Sequence, residues 1–305
     1  MRGARRRPRD LGRDVGAGLL PRSPAATRPP VQSPDPCPRR RHAQGRPIRP
    51  LRGSRVMRRI HHVGIVIRDL AAAYRFYRDT LGLPLVKEAR LPDQGVRAAL
   101  LAAGETEIEL LEPLDASSGV GRFLARRGEG LHHLCLDTPD IHAALGALKE
   151  THVELIDTAP RPGLAGQIAF LHPKACCGVL VELATPAEDT AAEPSPVRLK
   201  RLVVGARDVK QTAGVFRSRF GLTEVAMNDG PRTMLGVGRG AILIVPSEEV
   251  GGTEGMVALS LVAEDFESLM AAFDRASTKC LRGTGEVTVE PESSHGVHLH
   301  ISRYE

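Results

Sequence analysis

Four residues able to hold a metal recur at matched intervals along this 305-residue chain. His62 lies in the strand-like run Ile60 to Ile67, and His133, 71 positions later, lies in Leu131 to Leu136. Glu109 closes the polar side of Thr106 to Leu111, and Glu182, 73 positions later, sits in Gly178 to Leu183. Each half of the segment therefore offers one imidazole on its first strand and one carboxylate on its last. Facing halves would bring two nitrogens and two oxygens to one point, a mixed donor set suited to a divalent first-row metal. A lone strand histidine is usually structural. Four ligand-type residues at paired positions favour a site.

The elements that must position these residues form a repeating unit. Ile60 to Ile67 alternates, which places His62 and His61 on opposite faces. On that reading His61, and likewise His132, is a surface or core histidine rather than a ligand, and Glu107 and Glu112 are solvated or rim carboxylates. Asp69 caps a helix over Leu70 to Leu81, where Leu70, Tyr74, Tyr77 and Leu81 form an apolar stripe and Gly82 provides the stop. Strands are expected at Pro84 to Lys87, Val96 to Leu101 and Glu105 to Glu112, giving the order βαβββ.

The unit returns from Leu131, with Asp140-Ile141 matching Asp69-Leu70 and strands near Val153 to Ile156, Gln167 to Leu171 and Val179 to Leu183. A Pro-rich polar stretch, 187–197, reads as a linker. Beyond it Arg207-Asp208-Val209 repeats Arg68-Asp69-Leu70, and a fourth copy starts at Gly255. Repetition on this scale predicts an α+β fold of four βαβββ copies in two domains, 57–186 and 198–305, with mixed curved sheets and helices outside.

Composition narrows the function. The first 56 residues contain fifteen Arg, three acids and ten prolines, a net +12, so the remainder carries −6 of the overall +6. That distribution argues against a nucleic-acid surface on the folded part. The Arg/Pro-rich tail reads as disordered or as a mis-assigned start ahead of Met57, with an organelle transit peptide as the alternative. No apolar run reaches the roughly 20 residues of a membrane span. Five cysteines with no Cys-x-x-Cys spacing fit a reducing compartment, the cytoplasm, or the mitochondrion if the tail is a transit peptide.

The chain resembles the vicinal oxygen chelate superfamily of glyoxalases, bleomycin-resistance proteins and dioxygenases, and its first module resembles methylmalonyl-CoA epimerases. The resemblance is carried by His61-His62-Val63-Gly64-Ile65, Ile108-Glu109-Leu110-Leu111-Glu112-Pro113-Leu114 and Gly128-Glu129-Gly130-Leu131-His132-His133. Phe170-Leu171-His172-Pro173-Lys174 and Gly178-Val179-Leu180-Val181-Glu182-Leu183 complete it. It implies one divalent metal (cobalt, manganese, nickel or zinc) held by His62, Glu109, His133 and Glu182, the same four residues that the repeat selects.

The implied activity is an isomerase that interconverts the epimers of methylmalonyl-CoA through an enolate, with Glu182 and Glu109 as acid and base and Lys174 attracting the anionic end of an acyl-CoA substrate. The family's additional glutamate, carried by some epimerases on the strand before Ile108, is here Ala98. A glyoxalase-type lyase uses the same donor set and is the rival activity; a non-catalytic ligand-binding protein is the rival class. In the second module Arg201, Ile242, Ala258 and His300 align with His62, Glu109, His133 and Glu182, so a degenerate copy is expected. That copy suggests a monomer with an internal pseudo-dimer, or else a homodimer.

Overall fold

A computed structural model describes residues 57–187, 194–227 and 230–304; the Arg/Pro-rich tail and most of the linker lie outside the described residues. The first module contains β1 (Ile60–Val66), α1 (Leu70–Tyr74), β2 (Leu85–Leu91), β3 (Val96–Ala103) and β4 (Thr106–Pro113). It continues with α2 (Gly119–Arg127), β5 (Gly130–Asp137), α3 (Ile141–Glu150), β6 (Arg161–Gly163), β7 (Gly166–Leu171) and β8 (Val181–Thr185). The second contains β9 (Val197–Ala206), α4 (Val209–Phe220), β10 (Thr223–Val225), β11 (Thr233–Val237) and β12 (Gly240–Pro246). It ends with β13 (Gly255–Ala263), α5 (Phe266–Ala276), β14 (Cys280–Arg282), β15 (Glu286–Val289) and β16 (His298–Ser302).

Each module forms one eight-stranded mixed sheet, in the orders β2-β3-β4-β1-β5-β8-β7-β6 and β10-β11-β12-β9-β13-β16-β15-β14. The first strands of the two repeats pair antiparallel at the centre of each sheet, β1 with β5 and β9 with β13. The last strand of each repeat lies parallel beside them. This arrangement puts all four ligand-type positions of the first module on adjacent strands.

The same capping device opens the main helix of every copy. Asp69, Asp140, Asp208 and Asp265 each accept a hydrogen bond from the backbone N–H three residues on, at 2.6–3.0 Å. Such caps contribute about 1 kcal/mol each. The helix expected over Leu70 to Leu81 is α-helical only to Tyr74 and continues as a π-helical segment, Arg75–Thr80, before Gly82 turns at φ +79°. The wider turn buries both Phe76 and Tyr77.

Those two rings meet the second module. Phe76 lies 6.3 Å from the Phe273 ring, and the Tyr77 hydroxyl donates to Ser294 O at 2.8 Å. A single apolar core runs through both modules, from Ile65, Leu70 and Leu145 to Phe216, Phe220 and Phe273. Full burial of each such side chain contributes roughly 1.5–3 kcal/mol.

Three further readings of the fold need correction. Val153 to Ile156 is not a strand; Leu155 makes only an isolated bridge to Leu171, and the edge strand forms later as β6, against β7. Asp157 explains the shift, because its carboxylate accepts the Phe170 N–H at 2.9 Å, where a continuing ladder would run. Helix α2 was not foreseen either. Its Gly119-Val120-Gly121 opening weakens the helical pattern, and Gly121 is required because a Cβ there would lie 2.3 Å from Asp115 O. In addition, β9 starts at Val197, inside the stretch read as linker.

Candidate active site

The four residues selected by the repeat meet on one face of the first sheet. His62 Nε2 and His133 Nε2 are 2.9 Å apart. Glu109 Oε2 lies 3.4 Å from the first and 3.3 Å from the second. Glu182 reaches them with Oε1 at 3.8 Å and Oε2 at 3.6 Å. All four side chains are buried.

This spacing fits a metal. Ligands in adjacent positions about 2.1 Å from a common ion stand about 3 Å apart, so two imidazole nitrogens at 2.9 Å suit neighbouring coordination sites. His62, His133 and Glu182 form a group whose donor atoms all lie within 4.8 Å of one another. Gly64 makes room for it. An added Cβ would lie 2.2 Å from His133 Cε1, so only glycine admits the ring.

Electrostatics follow from burial. Desolvation, aided by His133 and His61, holds the His62 pKa well below its ordinary value. Burial lowers His133 as well, but the Glu109 hydrogen bond and the Glu182 and Glu109 charges outweigh it, and the net shift is upward. Burial pushes Glu182 up to about 7, against His133. Burial and the adjacent Glu182 push the Cys135 thiol well up, so Cys135 stays a neutral, small packing group 3.5 Å from Glu182 Oε1.

Contrary to strict alternation, His61 and His132 do not turn away from their neighbours. The β1–β5 ladder skips both residues: Ile60 pairs Leu136 and His62 pairs Cys135, while Gly64 pairs His133 and Ile65 pairs Leu131. Each is the extra residue of a β-bulge, which re-aims a side chain instead of sending it to the opposite face. His61 Nδ1 therefore stands 3.0 Å from His62 Nδ1, and His132 Nδ1 stands 3.0 Å from His133 Nδ1. Both outer rings are held neutral, His61 down to about 4 and His132 down to about 3, mainly by burial. A neutral ring can accept the Nδ1–H of its neighbour and leave that neighbour's Nε2 free for a metal. The His-His doublets, 71 positions apart, were the available signal.

Glu107 also departs from expectation. It is not a solvated carboxylate: its Oε2 is buried without a hydrogen bond, 3.4 Å from His61 Nδ1, and burial raises its pKa to about 7. Glu112, by contrast, lies on the rim, 3.7 Å from Arg97. Ala98 is fully buried in the apolar lining beside Val66, Leu100 and Leu111. Lys174 is exposed on the Pro173–Cys176 turn.

The second sheet reproduces the bulges, at Lys200 and Val257, but not the donors. Register places Arg201, Ala258 and His300 where His62, His133 and Glu182 stand. The counterpart of Glu109 is Leu243, not Ile242. Leu243 pairs Val203 as Glu109 pairs Gly64, and the earlier alignment slipped by one residue.

A family model described as the Glyoxalase/Bleomycin resistance protein/Dioxygenase superfamily matches residues 61–171, from the first bulge to the end of β7. The chain covers 96% of an ethylmalonyl-CoA/methylmalonyl-CoA epimerase of Cereibacter sphaeroides, at 40% identity over 128 residues. The chain belongs to this superfamily. A mitochondrial methylmalonyl-CoA epimerase of Mus musculus is 39% identical over 127 residues, which are 41% of this chain and 71% of that protein.

These likenesses span one module. A fold likeness spans more: a mutant 4-hydroxymandelate synthase of Streptomyces coelicolor aligns over 81% of this chain and 92% of its own, with TM-score 0.62 and 13% identity. That likeness is one of fold, and it extends across both modules. The first module is thus epimerase-like, with His and Glu groups that could bind a metal. Among the described residues, no helix is long and apolar enough to cross a membrane.

Proposed function

We propose that the protein is a metal-dependent epimerase that inverts the carbon between the thioester and the carboxylate of a branched malonyl-CoA, with methylmalonyl-CoA as the substrate. The observation that carries this reading is the meeting of His62 and His133 with each other and with both Glu109 and Glu182, at 2.9–3.8 Å on one sheet face. The epimerases similar to the first module supply the substrate class. These four residues would hold one divalent ion such as cobalt, manganese, nickel or zinc. When bound, it supplies Lewis-acid stabilisation of the negative charge that develops on the thioester oxygen.

The protein's own groups move the proton. Glu182, raised to about 7 by burial, is matched to accept the C2 proton at one carboxylate oxygen and give it back near neutral pH. Glu109 arrives on β4, on the other side of the two central strands, and serves the opposite face of the carbon. With Ala98 inert, these two carboxylates are the acid–base pair. The apolar lining around Val66, Leu100 and Leu111 keeps water from the intermediate, and Lys174 draws in the anionic end of the coenzyme.

The test is deuterium exchange at C2 of methylmalonyl-CoA in D2O. Exchange that is lost on chelation and restored by cobalt or manganese is the expected result. Absence of exchange in the metal-loaded protein, with conversion of a glutathione hemithioacetal instead, would overturn it in favour of a glyoxalase-type lyase.

A further inference from the structure

Where the two modules meet, a cavity of about 540 Å³ opens beside the first residues of the strands that carry His62 and Glu109. Its volume falls within the roughly 300–1,000 Å³ range of small-molecule sites. Four arginines line it, two from strand starts (Arg59 and Arg198) and two from the second module's surface (Arg239 and Arg303), with two acidic residues, Glu105 and Glu264. The lining thus carries a net +2. Its walls are set by tight packing: a Cβ on Gly104 would lie 2.7 Å from Arg198 Cβ, and one on Gly240 3.4 Å from Ile60 Cδ1.

We propose that this seam cavity binds an organic phosphate, independently of the metal centre. Planar guanidinium forks match phosphate oxygens in pairs, and a phosphate dianion balances the net charge of the lining. Three of the arginines, Arg59, Arg239 and Arg303, keep donor capacity beside their existing partners. Arg59 uses Nε on Asp137 and one terminal nitrogen on Glu105 O. Arg239 is 72% exposed and only 3.9 Å from Glu105, an exposed pair of little strength. Arg303 bonds Glu267 through one nitrogen and lies over the Phe266 ring, which orients its plane. A cavity of this size fits a single phosphorylated small molecule.

The floor of the cavity gives the site a consequence. Ile60 and Thr106 line it, and these residues start the strands that carry His62 and Glu109. The Thr106 hydroxyl donates to Ile60 O at 3.1 Å, tying the two strand starts together. A bound phosphate would brace both strands and join the modules across the seam.

The test is calorimetric titration of the full chain, chelator-treated so that no metal competes for phosphate, with ADP as the probe and coenzyme A as the competitor. Binding is read without turnover, so its outcome does not depend on the proposed epimerase activity. We expect ADP to bind and the double variant Arg239→Ala/Arg303→Ala to bind it at least tenfold more weakly, with an unchanged melting temperature. Glu264→Gln, which removes a repelling charge, should bind several-fold more tightly. Displacement of ADP by coenzyme A assigns the site to the coenzyme's phosphates; failure to displace it assigns the site to a free nucleotide. Absence of ADP binding, equal binding by the double variant, or weaker binding by Glu264→Gln would overturn the proposal.

Discussion

Gly64 sits directly opposite His133 in the β1–β5 ladder, and the imidazole occupies the space where a Gly64 side chain would be. The ring cannot keep its position if that space is filled. Gly64→Ala should therefore displace His133 and lower metal affinity at least tenfold, while overpacking costs about 1–3 kcal/mol of stability. Cobalt absorbance during a metal titration measures the first effect and thermal unfolding the second. Unchanged affinity would show that the ring is placed by something other than the missing Cβ.

Ligands and their outer neighbours should separate experimentally. His62→Ala or Glu182→Gln should abolish metal-dependent exchange. His61→Ala and His132→Ala, which remove the ring facing Nδ1 of each ligand, should weaken metal binding about 10–100-fold and retain activity at saturating metal. The measurement is activity against free metal concentration. Overlapping curves for wild type and His61→Ala would remove the orienting role.

Glu107 should make the metal-free protein sensitive to pH. Its folded pKa of about 7 lies above the ordinary value of 4.5, so the folded state keeps a proton that the unfolded chain has released across that window. Stability from this group therefore falls as pH rises from about 4.5 to 7, and the full cost applies above that. Glu107→Gln should unfold at higher denaturant than wild type at pH 8, by on the order of 1–3 kcal/mol, and lose most of that advantage at pH 5. A constant difference between the two pH values would contradict the assignment.

The second module should hold no equivalent metal, because Arg201, Leu243, Ala258 and His300 replace the four donors. Elemental analysis should find about one metal per chain. Truncation after Pro186 should expose Phe76, Tyr77 and Met57, which pack on or bond to Phe273, Ser294 and Phe220. The truncated protein should then dimerise, aggregate or lose stability, as sedimentation and thermal unfolding would report. Two metals per chain would overturn the first expectation, and a stable truncated monomer the second.

The fold was legible because its signals are local and repeated. Each Asp cap and each Gly stop could be read from the chain, and the shared offsets tied one copy to the next. The meeting of His62 with His133 was legible for the same reason, since symmetry turns sequence distance into spatial proximity. What strand parity could not supply was the pair of bulges. A bulge depends on how two strands align across the sheet, and one strand's own pattern does not encode it. For that reason the facing of His61 and His132 was misread, and so was the burial of Glu107, which sits against His61. The seam cavity was equally hidden, because its arginines come from distant strand ends and only the docking of the two modules gathers them.

Fusion of the modules also changes what sequence variation can achieve. In a dimer of identical chains every substitution occurs twice, so a change that removes a ligand removes it from both sites. Here Tyr77 meets Ser294 within a single polypeptide, and the covalent link holds the partner surface at high local concentration at any dilution. One half can keep its chemistry while the other drifts, as long as the drifting half preserves the surface that its neighbour leans on. Asymmetry of this kind is heritable only in a fused chain. The residues to watch in the second half are accordingly those at the contact, such as Phe273 and Ser294, rather than those on its emptied sheet face.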